Sequence, residues 1–132
     1  MTLGGDDGNV ELLGDYIAWL IANSLVSDTL ERSASTAVTR VRMQDLTGAE
    51  FLSTILFGEL TSDHLTEEGQ RFTAHYLVSG KFVDDCSGVP LDEDDWYRYT
   101  LIAPKITAAW QAYRQKGKRP SWSARILKFP GR

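Results

Sequence analysis

Two histidines are the first candidates for catalysis or metal binding, because imidazole serves as a base or a ligand near neutral pH. His64 and His75 are eleven residues apart, a spacing that would align them on one face of a continuous helix. Thr66 lies between them, and threonine favours the N-cap position that starts a new helix. Neither histidine belongs to a zinc-protease or serine-hydrolase motif. We therefore predict that both are structural residues and that the chain is not an enzyme.

A single cysteine, Cys86, is the candidate nucleophile. It follows Asp84 and Asp85, whose negative charges oppose formation of the thiolate and so raise the pKa of the thiol. A nucleophilic cysteine needs the opposite environment. Because the sequence contains no second cysteine, an intramolecular disulfide is also excluded. We predict that Cys86 is a structural residue.

Six carboxylates crowd into residues 84–95. Carboxylate oxygens can hold Mg²⁺ or Ca²⁺, but the run lacks the spacing and the glycine of an EF-hand, and we predict no metal and no cofactor. A helix N-terminus accounts for Asp92 and Asp94 alone. The whole set repels itself unless a positive group faces it, either the chain's own C-terminus or a partner. Together with two aromatic neighbours, these carboxylates form the predicted partner-binding surface: Asp84, Asp85, Asp92, Glu93, Asp94, Asp95, Trp96 and Tyr97.

Charge is distributed very unevenly along the chain. The formal net charge is −4, yet all 18 acidic residues lie within 1–95, and residues 96–132 contain nine basic residues and no acid. A basic C-terminus can contact nucleic acid through phosphates, in a salt-dependent way that ignores base sequence. Residues 1–95 are strongly acidic, and the sequence has neither a nucleic-acid motif nor a phosphate-binding glycine loop. These observations argue against that function. A nucleic-acid-associated regulatory protein remains the alternative.

Apolar spacing predicts a mainly α-helical fold with an array of about five helices. Residues 10–23 are apolar on more than one face, which is typical of a central helix. A surface helix is predicted to begin at Asp28, with that residue as its cap. Thr47, followed three residues later by Glu50, has the pattern of a capping box, and Thr66 is the predicted N-cap of the next helix.

The C-terminal third is predicted to contain a loop, a long helix and an arm. Residues 81–91 have the glycine and proline of a loop. The long helix carries an apolar stripe over residues 96–113, and Pro104 should kink or divide it. Residues 1–132 are predicted to form one helical domain, with a flexible N-terminus at 1–9 and a basic arm at 117–132 that is irregular or a short strand. The absence of a signal peptide and of a long apolar run predicts a cytoplasmic protein without membrane contact.

Five blocks of sequence occur in an order and spacing that resemble a family of small bacterial proteins. They are DYIAWLIANSL at 15–25, LTGAEFL at 46–52, LTEEGQRFTAHY at 65–76, WYRY at 96–99 and IAPKITAAW at 102–110. Members of that family tend to occur as immunity proteins, which neutralise polymorphic toxins such as those of contact-dependent growth inhibition. The resemblance brings no catalytic residues.

The resemblance implies that the chain binds and neutralises a cognate toxin domain, in a 1:1 complex. Many such toxins are nucleases, which need a basic surface to hold phosphates. An inhibitor that occludes such an active site is expected to present clustered carboxylates, which also accelerate association. Aromatic side chains at the edge of the acidic run would supply the apolar anchors.

Overall fold

The computed structural model describes residues 2–5, 10–90 and 94–117. The elements in chain order are β1 (Thr2–Gly5), α1 (Val10–Ala22), α2 (Asp28–Ser33), α3 (Ser35–Arg42), α4 (Gly48–Thr54), β2 (Glu59–Thr61), α5 (Glu67–Thr73), α6 (Lys81–Asp85) and α7 (Asp95–Gly117). A 3₁₀ turn, Ser62–His64, precedes α5, and a π-helical segment, Ala74–Val78, continues it. The mainly α-helical class predicted from the sequence is confirmed.

Helix α1 is the centre of the core, as its apolar residues on several faces predict. Every residue from Leu12 to Ile21 is buried, and α3, α4 and α7 all pack against this helix. An aromatic cluster fills the space between α1, α5 and α7, with ring-to-ring contacts that link Tyr16, Trp19, Phe72, Tyr76, Phe82 and Trp110. Burial of these large rings supplies much of the hydrophobic stabilisation of the fold.

Helices α1 and α4 cross at a pair of glycines. A Cβ atom built on Gly48 would lie only 1.7 Å from the carbonyl oxygen of Gly14. A Cβ atom on Gly14 would lie 2.4 Å from the backbone nitrogen of Ala49. The two backbones can approach this closely only because both residues lack a side chain.

Local capping sets the starts of three helices. Thr47 and Glu50 form the predicted capping box at α4, and the Thr66 hydroxyl accepts a hydrogen bond from the backbone N–H of Gly69 at α5. The cap of α2 is Ser27 rather than Asp28, because the Ser27 hydroxyl accepts from the N–H of Leu30. Asp28 occupies the first helical position, where its charge still favours the helix dipole.

The predicted surface helix is divided at Ala34, where the backbone leaves the helical conformation between α2 and α3. Residues 81–85 form α6, where the sequence predicted a loop. Burial of Phe82 and Cys86 against the core stabilises this short helix, an effect that local sequence does not show. The described part therefore contains seven α-helices rather than about five.

The two strands form an antiparallel pair, with Gly5 opposite Glu59 and Thr2 opposite Thr61. Residues 2–5 therefore pair with a distant segment, where the sequence predicted a flexible N-terminus. Helix α7 continues through Pro104 and is not divided there. Pro104 and Thr100 are both exposed, so water can bond the carbonyl that proline leaves without an N–H. The basic arm at 117–132 lies outside the described residues from position 118 onward.

Within the described residues, no helix has the length and apolar character needed to cross a membrane.

Candidate functional site

The structure separates the eight predicted partner-binding residues into those that stabilise the fold and those that face solvent. It describes six of them, and Asp92 and Glu93 lie outside the described residues. Asp94 is the N-cap of α7: its carboxylate accepts hydrogen bonds from the backbone N–H groups of Trp96 and Tyr97, at 3.1 and 3.2 Å. This bond pair stabilises the start of the helix.

Asp95 belongs to a buried ion-pair network that joins the first and last helices. The guanidinium of Arg98 donates through Nε to Asp15 Oδ2 and through Nη2 to Asp95 Oδ1, both at 2.7 Å. Arg98 is 1% exposed, and the side chain of Asp15 is 6% exposed. Because an isolated buried charge is very costly, each of these groups requires the other.

Burial raises the pKa of Asp15 to about 6, even though its hydrogen bond and ion pair with Arg98 act in the opposite direction. Burial lowers the pKa of Arg98, but the hydrogen bonds that its guanidinium donates to Asp15 and Asp95 outweigh that effect and the net direction is upward. For ionised Asp15, the free-energy cost of removing the carboxylate from water is therefore larger than the stabilisation that the guanidinium of Arg98 provides.

Asp85 also has an internal partner. The phenol of Tyr76 donates a hydrogen bond of 2.6 Å to Asp85 Oδ2, which ties α6 to the π-helical segment. Burial, followed by this bond to a carboxylate, raises the pKa of Tyr76. Three of the predicted binding carboxylates, at 85, 94 and 95, thus have structural roles.

Asp84, Trp96 and Tyr97 are the described members of the predicted surface that remain at least partly available. Asp84 is exposed and forms no ion pair in the described part of the chain. Tyr97 is 54% exposed, and Trp96 is half-buried with its ring edge against Tyr99. Asp84 also lines a cleft of about 550 Å³ (the Asp84 cleft), whose other walls include His75, Lys81, Ala109, Ala112 and Tyr113.

The histidines are not brought together, because they line different clefts. His64 Nδ1 accepts a hydrogen bond of 3.0 Å from the backbone N–H of Thr61, and burial lowers the pKa of the ring. His75 lies against the ring of Tyr113 at a centroid distance of 5.0 Å. Thr66 separates the two residues as the sequence predicted.

Cys86 is buried, and burial raises the pKa of its thiol to about 11. Lys105 lowers this value and Asp85 raises it, both by smaller amounts. The direction agrees with the sequence prediction, but burial rather than the neighbouring carboxylates is the main cause. Among the described residues, no group of three or more His, Cys, Asp or Glu could hold a metal ion.

A second cleft, of about 660 Å³, lies between α2, α3 and the end of α4 (the Phe57 groove). Its apolar lining consists of Leu30, Ala34, Ala37, Ile55 and Phe57. Phe57 is 87% exposed and adopts a φ of +55°. Phe57 was not among the predicted site residues, because neither its exposure nor its backbone conformation is visible in an apolar pattern.

The sequence reasoning also missed Asp15 and Arg98. A usable signal existed for both: Asp15 interrupts the apolar run of α1, and Arg98 is four residues before Ile102, on the helix face that is buried.

Comparison with proteins of curated function and with solved structures finds no match. A family model does match, over residues 7–100, which include every described element from α1 to α6 and the start of α7. The chain belongs to this family, which is described as a domain of unknown function, DUF7832.

Proposed function

We propose that this chain is a cytoplasmic immunity protein that binds a bacterial toxin domain and occludes its active site. The toxin domain is a basic protein, and a nuclease is the class that best fits an acidic inhibitor. The chain acts by binding and not by catalysis. The resemblance of its sequence blocks to immunity proteins supplies the class of partner, and the charges of the fold supply its chemistry.

One observation carries the proposal: the described fold has far more carboxylates than its own cations neutralise. Residues 10–90 and 94–115 contain fourteen acidic and eight basic residues. Five of those carboxylates form ion pairs with described residues, and the other nine form none within the described part of the chain. Exposed carboxylates of one sign create a negative potential that attracts a basic partner and accelerates the encounter.

The proposed binding surface consists of the exposed part of the acidic run at Asp84 together with its neighbours in sequence. Asp84 is exposed, and Asp92 and Glu93 belong to the same run in sequence. Tyr97 and Trp96 follow directly and provide aromatic surface, which usually supplies most of the energy of a tight interface. Asp85, Asp94 and Asp95 contribute to the potential while they hold the helices in place.

The test uses the C-terminal domain encoded immediately upstream of this chain as the binding partner. A surface variant carries Asp84→Asn, Asp92→Asn and Glu93→Gln, which removes three charges and leaves Asp94, Asp15 and Arg98 unchanged. A matched control carries Asp28→Asn, Glu59→Gln and Glu68→Gln, which removes three exposed charges elsewhere. Isothermal titration of both variants against the domain measures the affinity at two salt concentrations.

We expect the surface variant to bind at least about tenfold more weakly, which corresponds to about 1.4 kcal/mol. The control should bind like the parent protein apart from a small decrease in association rate. Equal affinity for the two variants would remove the acidic run from the interface. No complex at all would leave the immunity function without its main support.

A further inference from the structure

Phe57 adopts a conformation that is costly for its residue type. It joins α4 to β2 with a φ of +55°, and Gly58 follows with a φ of +85°. The turn is fixed by a hydrogen bond of 2.8 Å from the N–H of Gly58 to the carbonyl of Leu52. The other non-glycine residues with positive φ, within the described part, are the polar residues Ser24 and Gln44.

A left-handed backbone costs a bulky residue on the order of 1 kcal/mol relative to glycine. The ring gains little in return from the described residues, because 87% of the residue is exposed to water. Among the described residues, Met43 is the next most exposed large apolar residue, at 73%, but its φ of −87° carries no such strain. Phe57 therefore combines strain and apolar exposure, which points to a contact made outside the single chain.

The Phe57 groove offers a matching receptor on the same face. The groove has a volume of about 660 Å³ and lies beside the ring of Phe57. Its other apolar lining residues are Leu30, Ala34, Ala37 and Ile55. Hydroxyl-bearing residues also line the groove, among them Ser33, Thr36 and Thr54. A mixture of apolar and polar side chains is usual in a protein interface.

We propose that the occupant of this groove is a second copy of the chain, in a two-fold symmetric dimer. A projecting ring and a receiving groove on one face are what a two-fold interface requires, because each Phe57 then inserts into the groove of the other copy. A projection and a groove on different faces would instead give an open-ended assembly. Here both belong to the same cleft, so the assembly closes as a dimer.

The charges of the groove permit this contact. Its lining contains one basic and one acidic residue, Arg40 and Asp63, together with His64, whose pKa is lowered by burial. Arg40 already pairs with Asp45 at 3.1 Å. A face with so little net charge does not repel its own copy, whereas a strongly basic partner would find little here to attract it.

The number of residues that line the groove indicates how tightly the two copies should associate. Thirteen residues line it, fewer than the roughly 20–30 residues per partner of a standard stable interface. We therefore expect a reversible dimer with a dissociation constant in the micromolar range. This dimer is independent of the proposed toxin binding, and each copy would keep its own acidic run.

The test is sedimentation equilibrium of the full chain at concentrations from about 5 to 500 µM. The parent protein should show a monomer–dimer equilibrium. Phe57→Gly removes the ring and the strain together, and Ser33→Trp fills the groove from the exposed wall without altering the ring. Each should weaken dimerisation at least about tenfold, while thermal denaturation shows a retained fold.

Met43→Ser is the matched control, because it removes an exposed apolar side chain that does not line the groove. It should dimerise like the parent. A parent protein that stays monomeric at every concentration overturns the proposal. So does a dimer whose dissociation constant is the same in Phe57→Gly and in Met43→Ser.

Discussion

The N-terminus of α7 and the Phe57 groove differ in whether their energetically unfavourable groups have partners within the fold. These groups are charged side chains at α7 and an exposed apolar ring at the groove. At α7, the carboxylates of Asp94 and Asp95 and the guanidinium of Arg98 all have partners within the fold. At the groove, the exposed ring of Phe57 has no such partner among the described residues, and its backbone is strained. The clustered carboxylates made the first region the predicted binding surface. The second region has more exposed apolar surface that an external partner could cover. Charge density alone therefore does not separate carboxylates that stabilise the fold from those that face solvent, whereas the internal partner of each group does.

The largest effect is expected from Arg98→Leu, which leaves Asp15 buried without its ion-pair partner. Breaking a buried pair from one side typically costs about 3–5 kcal/mol. The free energy of unfolding from urea denaturation measures the loss. The double variant Asp15→Leu/Arg98→Leu should recover most of it, because two apolar residues replace the pair. A single-variant loss below about 1 kcal/mol would mean that the network contributes little to the fold.

A matched pair of tyrosine variants compares an internal with an external phenol. Tyr76→Phe deletes the donor to Asp85, and the loss of a hydrogen bond to a charged group should cost about 1–2 kcal/mol. Tyr97→Phe alters an exposed phenol and should leave the unfolding free energy within about 0.5 kcal/mol of the parent. The same urea experiment measures both. Similar losses in the two variants would contradict the distinction between internal and external groups in the acidic run.

The pH dependence of stability isolates Asp15. Its pKa is about 6 in the fold against an ordinary value of 3.8, so the folded state binds the proton more tightly than the unfolded state. The resulting stabilisation is fully present below the unfolded value and is lost as the pH rises through about 6. From pH 7 to pH 5 the free energy of unfolding should therefore rise by about 1 kcal/mol from this group.

Asp15→Asn removes the titrating group. The free energy of unfolding of this variant should therefore change less with pH over the same interval. Denaturation curves of the parent and the variant at pH 7, 6 and 5 provide the comparison. A parent protein that loses stability on acidification through this window would show that the ion pair with Arg98 outweighs burial.

The smallest effect on stability is expected at Phe57. Phe57→Gly relieves the left-handed strain but adds backbone entropy to the unfolded chain, so the melting temperature should stay the same or rise slightly. The same variant should dimerise more weakly than the parent. An unchanged melting temperature would then show that Phe57 contributes to association and not to the stability of the monomer. A loss of more than about 1 kcal/mol in the monomer would show instead that the ring packs within its own chain.

Local features of the fold were predictable from the sequence, and distant pairings were not. Thr47 and Thr66 were identifiable as caps because a cap depends on residues three positions away. The strand at Thr2–Gly5 depends on a partner almost sixty residues along the chain, as Thr2 opposite Thr61 shows. Helix α6 depends on burial of Phe82 against the core. No short-range pattern contains that information.

The candidate site was predictable only in part. The spacing of Arg98, Ile102 and Ile106 in steps of four marks one buried helix face, so the buried arginine could have been found. Its partner Asp15 is 83 residues away, and only the packing of α1 on α7 brings the two together. Phe57 could not have been found, because a positive φ at phenylalanine has no sequence signature comparable to that of glycine.

The most direct test of the account is protection of growing cells. Cells that express the upstream-encoded C-terminal domain are supplied with the parent chain, the acidic-run variant (Asp84→Asn/Asp92→Asn/Glu93→Gln) or the matched control (Asp28→Asn/Glu59→Gln/Glu68→Gln). We predict that the parent and the control restore growth and that the acidic-run variant does not, at equal levels of folded protein. Restored growth with the acidic-run variant would contradict the assigned surface, and failure of the parent chain to protect would contradict the proposed function itself.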